Sequence, residues 1–357
     1  MAGKVVTWVG SFAGRAADSA ASSNDYYARM TNAPASAAAW SAAGRYFLWK
    51  STLRENAAFG PVKIFNIRLG DRRNPAILVI HGYPTSSWDF MALATELSND
   101  FYVCALDTPG YGFSDKPRNG WRYSIFDDAR LVDYFVRASP SLSRFTLVTH
   151  DKGDSVGLAL LQKYQEYGSK PYAIDHHIIT NGNIWLPLAR LSAGQKALLA
   201  PMAGPILARL LTPNLLARTL SKKTYSPALG EPETAALASI FAYQDGTGIE
   251  HDLIQYLNER KLNEAKWLDA LRVSDIPTTL VWGEKDPIAP IAVADYVWAN
   301  YLETRPVAAA YWRIPSASHY LQHDQPEILA AIIRQASATG PNQGAIQGAC
   351  LEGCVSQ

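Results

Sequence analysis

The stretch that decides the fold is FTLVTHDKGDSVGLALLQKY, residues 145–164. Its first part is a short apolar run rich in β-branched residues, closed by His150 and Asp151. From Ser155 to Tyr164 the apolar residues recur at helical spacing instead. A continuous apolar run of this length reads as a strand buried on both faces, which is the situation of a parallel sheet. The junction Thr149-His150-Asp151-Lys152-Gly153 passes from strand to helix with hardly a residue to spare.

The same rhythm extends outward. KIFNIRL (63–69) alternates like a strand, and PAILVIHG (75–82), FYVCALDTPG (101–110), DHHIITNG (175–182), TTLVWGEKD (278–286) and AYWRIPSASH (310–319) read as further strands. Helical spacing falls between them at Ile125–Arg137 and 326–333. Alternating strands and helices predict an α/β doubly wound, mostly parallel sheet. The rhythm breaks once, over 184–265, where helix-like segments with Pro, Leu and Ala carry no strand signal. That block reads as a helical cap inserted into one sheet. The expected organisation is an N-terminal helical extension (1–58), a first core part (59–183), the cap (184–265), a second core part (266–339) and a flexible Gly-rich tail (340–357).

Composition excludes several classes. The chain has 357 residues, 33 Lys and Arg against 32 Asp and Glu, 48% hydrophobic and 18% charged residues. It is neither disordered by composition nor basic enough for a nucleic-acid binder. No apolar run approaches the roughly 18 residues of a transmembrane helix. Cys104 lies in an apolar run, and Cys350 and Cys354 lie in the tail, so neither a zinc site nor a disulfide framework is expected. The apolar stretch near the N-terminus is short and weakly charged for a signal peptide, and the expected location is cytoplasmic.

In an open parallel sheet, ligands bind beyond the carboxyl ends of the strands. The residues there are His81-Gly82-Tyr83-Pro84, Asp107, Asp151, Asn181-Gly182-Asn183, Asp286 and His319. Asp151 occupies the middle of the strand-to-helix turn, where a side chain is lifted over the sheet edge as a nucleophile, and a carboxylate there can form an ester. The lesser alternative is a non-catalytic site in which Asp151, standing just before a helix, is merely its N-cap. The pattern Gly153-Asp154-Ser155-Val156-Gly157 matches the serine-nucleophile signature, but its register puts Ser155 a turn inside the helix. His319 follows the last strand as the base, and Asp286 would orient its ring. His323 is a lesser rival. The backbone N–H groups of Tyr83 and Lys152 would form an oxyanion hole. His81, Pro84 and Trp185 are expected around the substrate pocket.

On these residues the chain resembles the α/β-hydrolases, in the branch of epoxide hydrolases and haloalkane dehalogenases. HGYPTSSWDF (81–90), ALDTPGYGFSDKP (105–117), THDKGD (149–154), WGEKDP (282–287) and SHYLQHDQPE (318–327) carry the likeness, and several of them are especially similar to mesoderm-specific transcript proteins. The resemblance implies an Asp151-His319-Asp286 triad, no metal or organic cofactor, a small apolar substrate, and epoxide opening assisted by a cap tyrosine. Tyr225 and Tyr243 are the preferred donors, with Tyr256 a third. Two positions depart from the dehalogenase pattern. Tyr83 stands where an Asn, and Lys152 where a Trp, usually hold the halide. Lys152 therefore leaves open an anionic substrate, or a side chain turned to solvent or to Asp154. A dehalogenase, a serine esterase using Ser155 and a non-catalytic scaffold stay open as alternatives. The sequence is silent on oligomeric state.

Overall fold

The computed structural model describes residues 34–338. Eight strands form one sheet: β1 (Arg45–Trp49), β2 (Val62–Leu69), β3 (Ala76–Ile80), β4 (Tyr102–Leu106), β5 (Arg144–His150), β6 (Ala173–Thr180), β7 (Thr278–Gly283) and β8 (Ala309–Ile314). Their order is β1-β2-β4-β3-β5-β6-β7-β8. β2 runs antiparallel to both β1 and β4, and every other pairing is parallel.

The apolar runs are continuous because each strand feeds two cores. Leu78 and Ile80 of β3 enter one cluster, with Cys104, Leu147 and Trp282. Ile77 and Val79 enter the other, on the opposite face, with Val103 and Phe90. A side-chain period of two, with helices on both faces, leaves no position of such a strand for a polar residue.

One element was not legible. The helical extension expected over 1–58 holds a helix at Ala35–Ala43, but it also holds β1. β1 is a five-residue edge strand whose apolar run, Tyr46 to Trp49, is only four residues long and stands directly after an Ala-rich helix, so it does not announce itself as a strand. Residues 1–33 and the tail 340–357, including Cys350 and Cys354, lie outside the described residues.

Between β6 and β7 the chain is helical throughout, ending in Tyr256–Arg272. The boundary expected at 265 falls inside that helix. It does not stop there because it lies along the helix Lys152–Gln165 as part of the core packing.

Candidate active site

Everything at the site follows from how β5 ends. Asp151 takes φ 50° and ψ −111°, outside the ordinary regions for a residue with a Cβ. The helix Lys152–Gln165 starts at the next residue. Such a turn needs bare backbone beside it: a Cβ on Gly153 would stand 2.3 Å from the Ile80 carbonyl oxygen. Asp151 does not cap the helix, because its side chain makes no capping bond. Its Oδ2 instead accepts the Tyr83 N–H at 2.9 Å from the loop after β3. The Lys152 N–H is the first of the helix and has no partner in the helical ladder. The Tyr83-Pro84 peptide is cis.

His319 and Asp286 meet from the loops after β8 and β7. His319 Nδ1 lies 2.8 Å from Asp286 Oδ2. The other Asp286 oxygen accepts the N–H groups of Ile288 and Ala289 at 2.7 and 2.9 Å. Asn181 completes the brace: its amide donates to Asp286 Oδ2 at 2.8 Å, while its Oδ1 accepts the Gly283 N–H at 2.7 Å. Burial disfavours a charged His319. The charge and hydrogen bond of Asp286, with the charges of Asp151 and Asp154, outweigh it and raise the imidazole to about 9. Beneath it, His150 lies 4.9 Å away, ring to ring, and burial keeps it neutral.

Several expected residues have other work. Both ring nitrogens of His81 are engaged, Nδ1 with the Gly82 carbonyl at 2.8 Å and Nε2 as acceptor from the Thr108 N–H at 3.1 Å. It is a buried brace between the loops after β3 and β4. Trp185 stacks on Tyr296 with ring centroids 4.6 Å apart. Lys152 turns neither to solvent nor to Asp154. Its Nζ donates to Asp128 Oδ2 at 2.5 Å and to Thr108 Oγ1 at 3.2 Å, over the face of Tyr111. A charge so committed is not free for an anionic substrate. Ser155 is buried in the helix and accepts from Arg260 at 2.6 Å, so it does not stand at the turn.

The tyrosines also differ from expectation. The Tyr225 hydroxyl donates to Asp89 Oδ1 at 3.3 Å, and its ring stacks on Tyr320. Tyr243 packs edge-on to Phe113 and beneath Lys116 Nζ. The Tyr256 phenol is influenced by the Asp151 charge: burial first, then that charge, raises its pKa. Its ring sits 5.6 Å from that of Tyr83.

Arg260, one turn on from Tyr256, is fully buried and had no sequence signal. Its guanidinium donates to the carbonyls of Asp151 at 3.0 Å and Asn183 at 2.9 Å, besides the Ser155 hydroxyl. The inserted helices are thereby pinned to the strained turn. Asp154 is buried beside it without a well-formed hydrogen bond, and burial raises its pKa well above the usual carboxylate range.

A strained strand-to-helix turn, an acid on it and a histidine-carboxylate pair across the sheet edge define a hydrolase fold. A family model described as alpha/beta hydrolase fold matches residues 75–326. The chain belongs to that family. LipZ of Mycobacterium tuberculosis is 36% identical over 75% of this chain and 90% of its own length. The mesoderm-specific transcript protein of Mus musculus is 32% identical over 80% of this chain and 83% of its own. More distant relatives include an epoxide hydrolase and a haloalkane dehalogenase. The crystal structure of haloalkane dehalogenase DbeA from Bradyrhizobium elkani superposes with a TM-score of 0.65 at 20% identity, covering 83% of this chain and 99% of that one.

Proposed function

We propose that this hydrolase works through an ester on Asp151 and opens epoxides to diols. The observation that carries the reading is the placement of the Asp151 carboxylate, held at one oxygen by the Tyr83 N–H and near enough to the Asp286-paired His319 for its charge to raise that imidazole. The other oxygen, Oδ1, attacks a ring carbon, and the ring C–O bond breaks. The departing alkoxide takes the phenolic proton of Tyr256, which this reading favours over Tyr225 and Tyr243 because its phenol feels the Asp151 charge and its ring lies 5.6 Å from that of Tyr83, whose N–H holds Asp151. Tyr256 comes from the inserted helices, which in this reading act as a cap over the sheet edge.

Hydrolysis of the ester follows from the electrostatics. While Asp151 is ionised, its charge helps to hold His319 protonated. Esterification removes that charge and lowers the imidazole pKa, so that His319 releases its proton to solvent, can then take one from water, and is reprotonated from solvent once the Asp151 carboxylate is restored. The hydroxide attacks the ester carbonyl, and the oxyanion is held by the N–H groups of Tyr83 and Lys152. On collapse, the proton on His319 goes to the leaving alkoxide, and the proton of the Asp151 carboxyl restores the phenol. The balance is one epoxide and one water in, one diol out.

The test is His319→Gln with a panel of epoxides, followed by peptide mass spectrometry. A stable adduct on the peptide bearing Asp151 is the expected result. An adduct on Ser155, or no adduct and no turnover of any epoxide by the wild type, overturns the reading. Release of chloride or bromide from haloalkanes without epoxide turnover assigns the same machinery to the dehalogenase reaction instead.

A further inference from the structure

The inserted helices carry a surface that the proposed chemistry does not use. In Ala203–Leu210, Gly204 and Ala208 face inward; a Cβ on Gly204 would stand 2.2 Å from the Leu198 carbonyl oxygen. Met202, Ile206 and Leu210, two positions out of phase with that pair, therefore point away, and they are 87, 63 and 70% exposed. Leu215 on the next helix, Pro213–Thr224, extends the apolar stripe.

Within this part of the chain, charge has one sign only. From 176 to 230 the chain contains no Asp or Glu but six basic residues, Arg190, Lys196, Arg209, Arg218, Lys222 and Lys223. All six are exposed. Among the described residues, none of the six forms an ion pair with a carboxylate. Leu215, Arg218 and Lys222 follow helical spacing on one side of their helix, and Arg209 adjoins Ile206 and Leu210. The whole chain is nearly neutral, so the remainder carries the compensating negative charge.

We propose that this face docks on the surface of an anionic lipid bilayer, with Met202, Ile206, Leu210 and Leu215 in the headgroup boundary and the basic side chains on the lipid phosphates. An exposed apolar stripe rimmed by cations is the arrangement of an interfacial amphipathic helix. The two contributions are complementary: long-range attraction brings the face to the membrane, and apolar insertion holds it there. A neutral protein partner gives no reason for 55 residues free of acid, whereas a uniformly negative surface does. The docked helices belong to the same inserted segment as Tyr256, so an apolar substrate dissolved in the lipid would reach the enzyme on the side of those helices. The binding itself does not depend on the reaction proposed above.

The experiment is co-sedimentation of the full chain with vesicles of phosphatidylcholine alone and with about one third phosphatidylglycerol. Binding to the anionic vesicles at least tenfold tighter than to neutral ones, and weakened tenfold or more on going from 0.05 to 0.5 M salt, is the expected result. The double variant Ile206→Ser/Leu210→Ser and the charge variant Arg218→Glu/Lys222→Glu should each lower binding at least tenfold, with an unchanged circular dichroism spectrum. Equal binding to both vesicle types, or full binding by both variants, overturns the proposal. So does a concentration-dependent dimer by light scattering that the Ile206→Ser/Leu210→Ser variant abolishes while vesicles bind neither form, since the face is then covered by a second copy.

Discussion

The carboxyl edge of the sheet and the inserted helices both supply residues to the site, but in different ways. At the sheet edge, the residues after β3, β5, β7 and β8 converge because parallel strands in register end at the same level. Their backbones are held by local devices: the turn at Asp151, the Asn181 brace and the Asp286 cap on its own loop. The inserted helices deliver Tyr256 and Arg260 through packing of a whole helix against Lys152–Gln165. A position set by strand ends is written locally, whereas one set by helix docking depends on dozens of residues elsewhere. Substitutions at the edge should therefore abolish chemistry and leave the fold intact, while those in the helices should couple chemistry to stability.

The largest effect sharpens the edge side of that contrast. Asp151→Asn should lower turnover about 10⁴-fold or more with an unchanged circular dichroism spectrum. More than a tenth of the activity retained would remove Asp151 from the chemistry.

Tyr256→Phe should cost about 10²-fold in turnover of epoxides, while Tyr225→Phe and Tyr243→Phe change it less than about threefold. The reverse ranking in steady-state kinetics would return the proton donor to one of the other two.

Arg260→Met tests whether the helices hold the turn. It leaves two carbonyls and a hydroxyl unpaired in the interior, for about 3 kcal/mol of lost stability. Urea denaturation reads this as a lower midpoint at constant slope. A loss below about 1 kcal/mol would mean that the inserted helices stay docked without the clamp.

The smallest effect is a pH dependence at the edge. The folded pKa of His319 is raised from 6.5 to about 9, so its protonation stabilises the fold. That contribution is complete below about pH 6.5, shrinks as the pH rises and is gone above about 9. The melting-temperature difference between wild type and His319→Gln should therefore fall between pH 6.5 and 9. A flat difference would place His319 outside the ion pair.

The helices alone answer for most of what could not be read in advance. The helical spacing of Ile125–Arg137 and the apolar runs of β3 to β8 are local signals, and they give elements within a few residues of where they stand. β1 escaped because its four apolar residues are too short a run to be told from the helical segment before it. Tyr225 and Tyr243 drew attention as tyrosines in the inserted segment, but a phenol's neighbours are not encoded near it in the chain. Lys152 shows the same limit. Its backbone position follows from the turn, yet its side chain ends on Asp128, 24 residues away, in a buried ion pair that no spacing announces.

The sequence by itself determined the sheet, its interruption and the row of acid, histidine and glycine at the strand ends. It could do so because strand periodicity and tight turns act over a few residues. Only the tertiary structure decided that the Tyr256 phenol lies within the influence of the Asp151 charge, that Arg260 reaches the turn, and that His81 braces two loops while Trp185 stacks on Tyr296. Those outcomes depend on direction and burial, which arise when separate elements pack and not before.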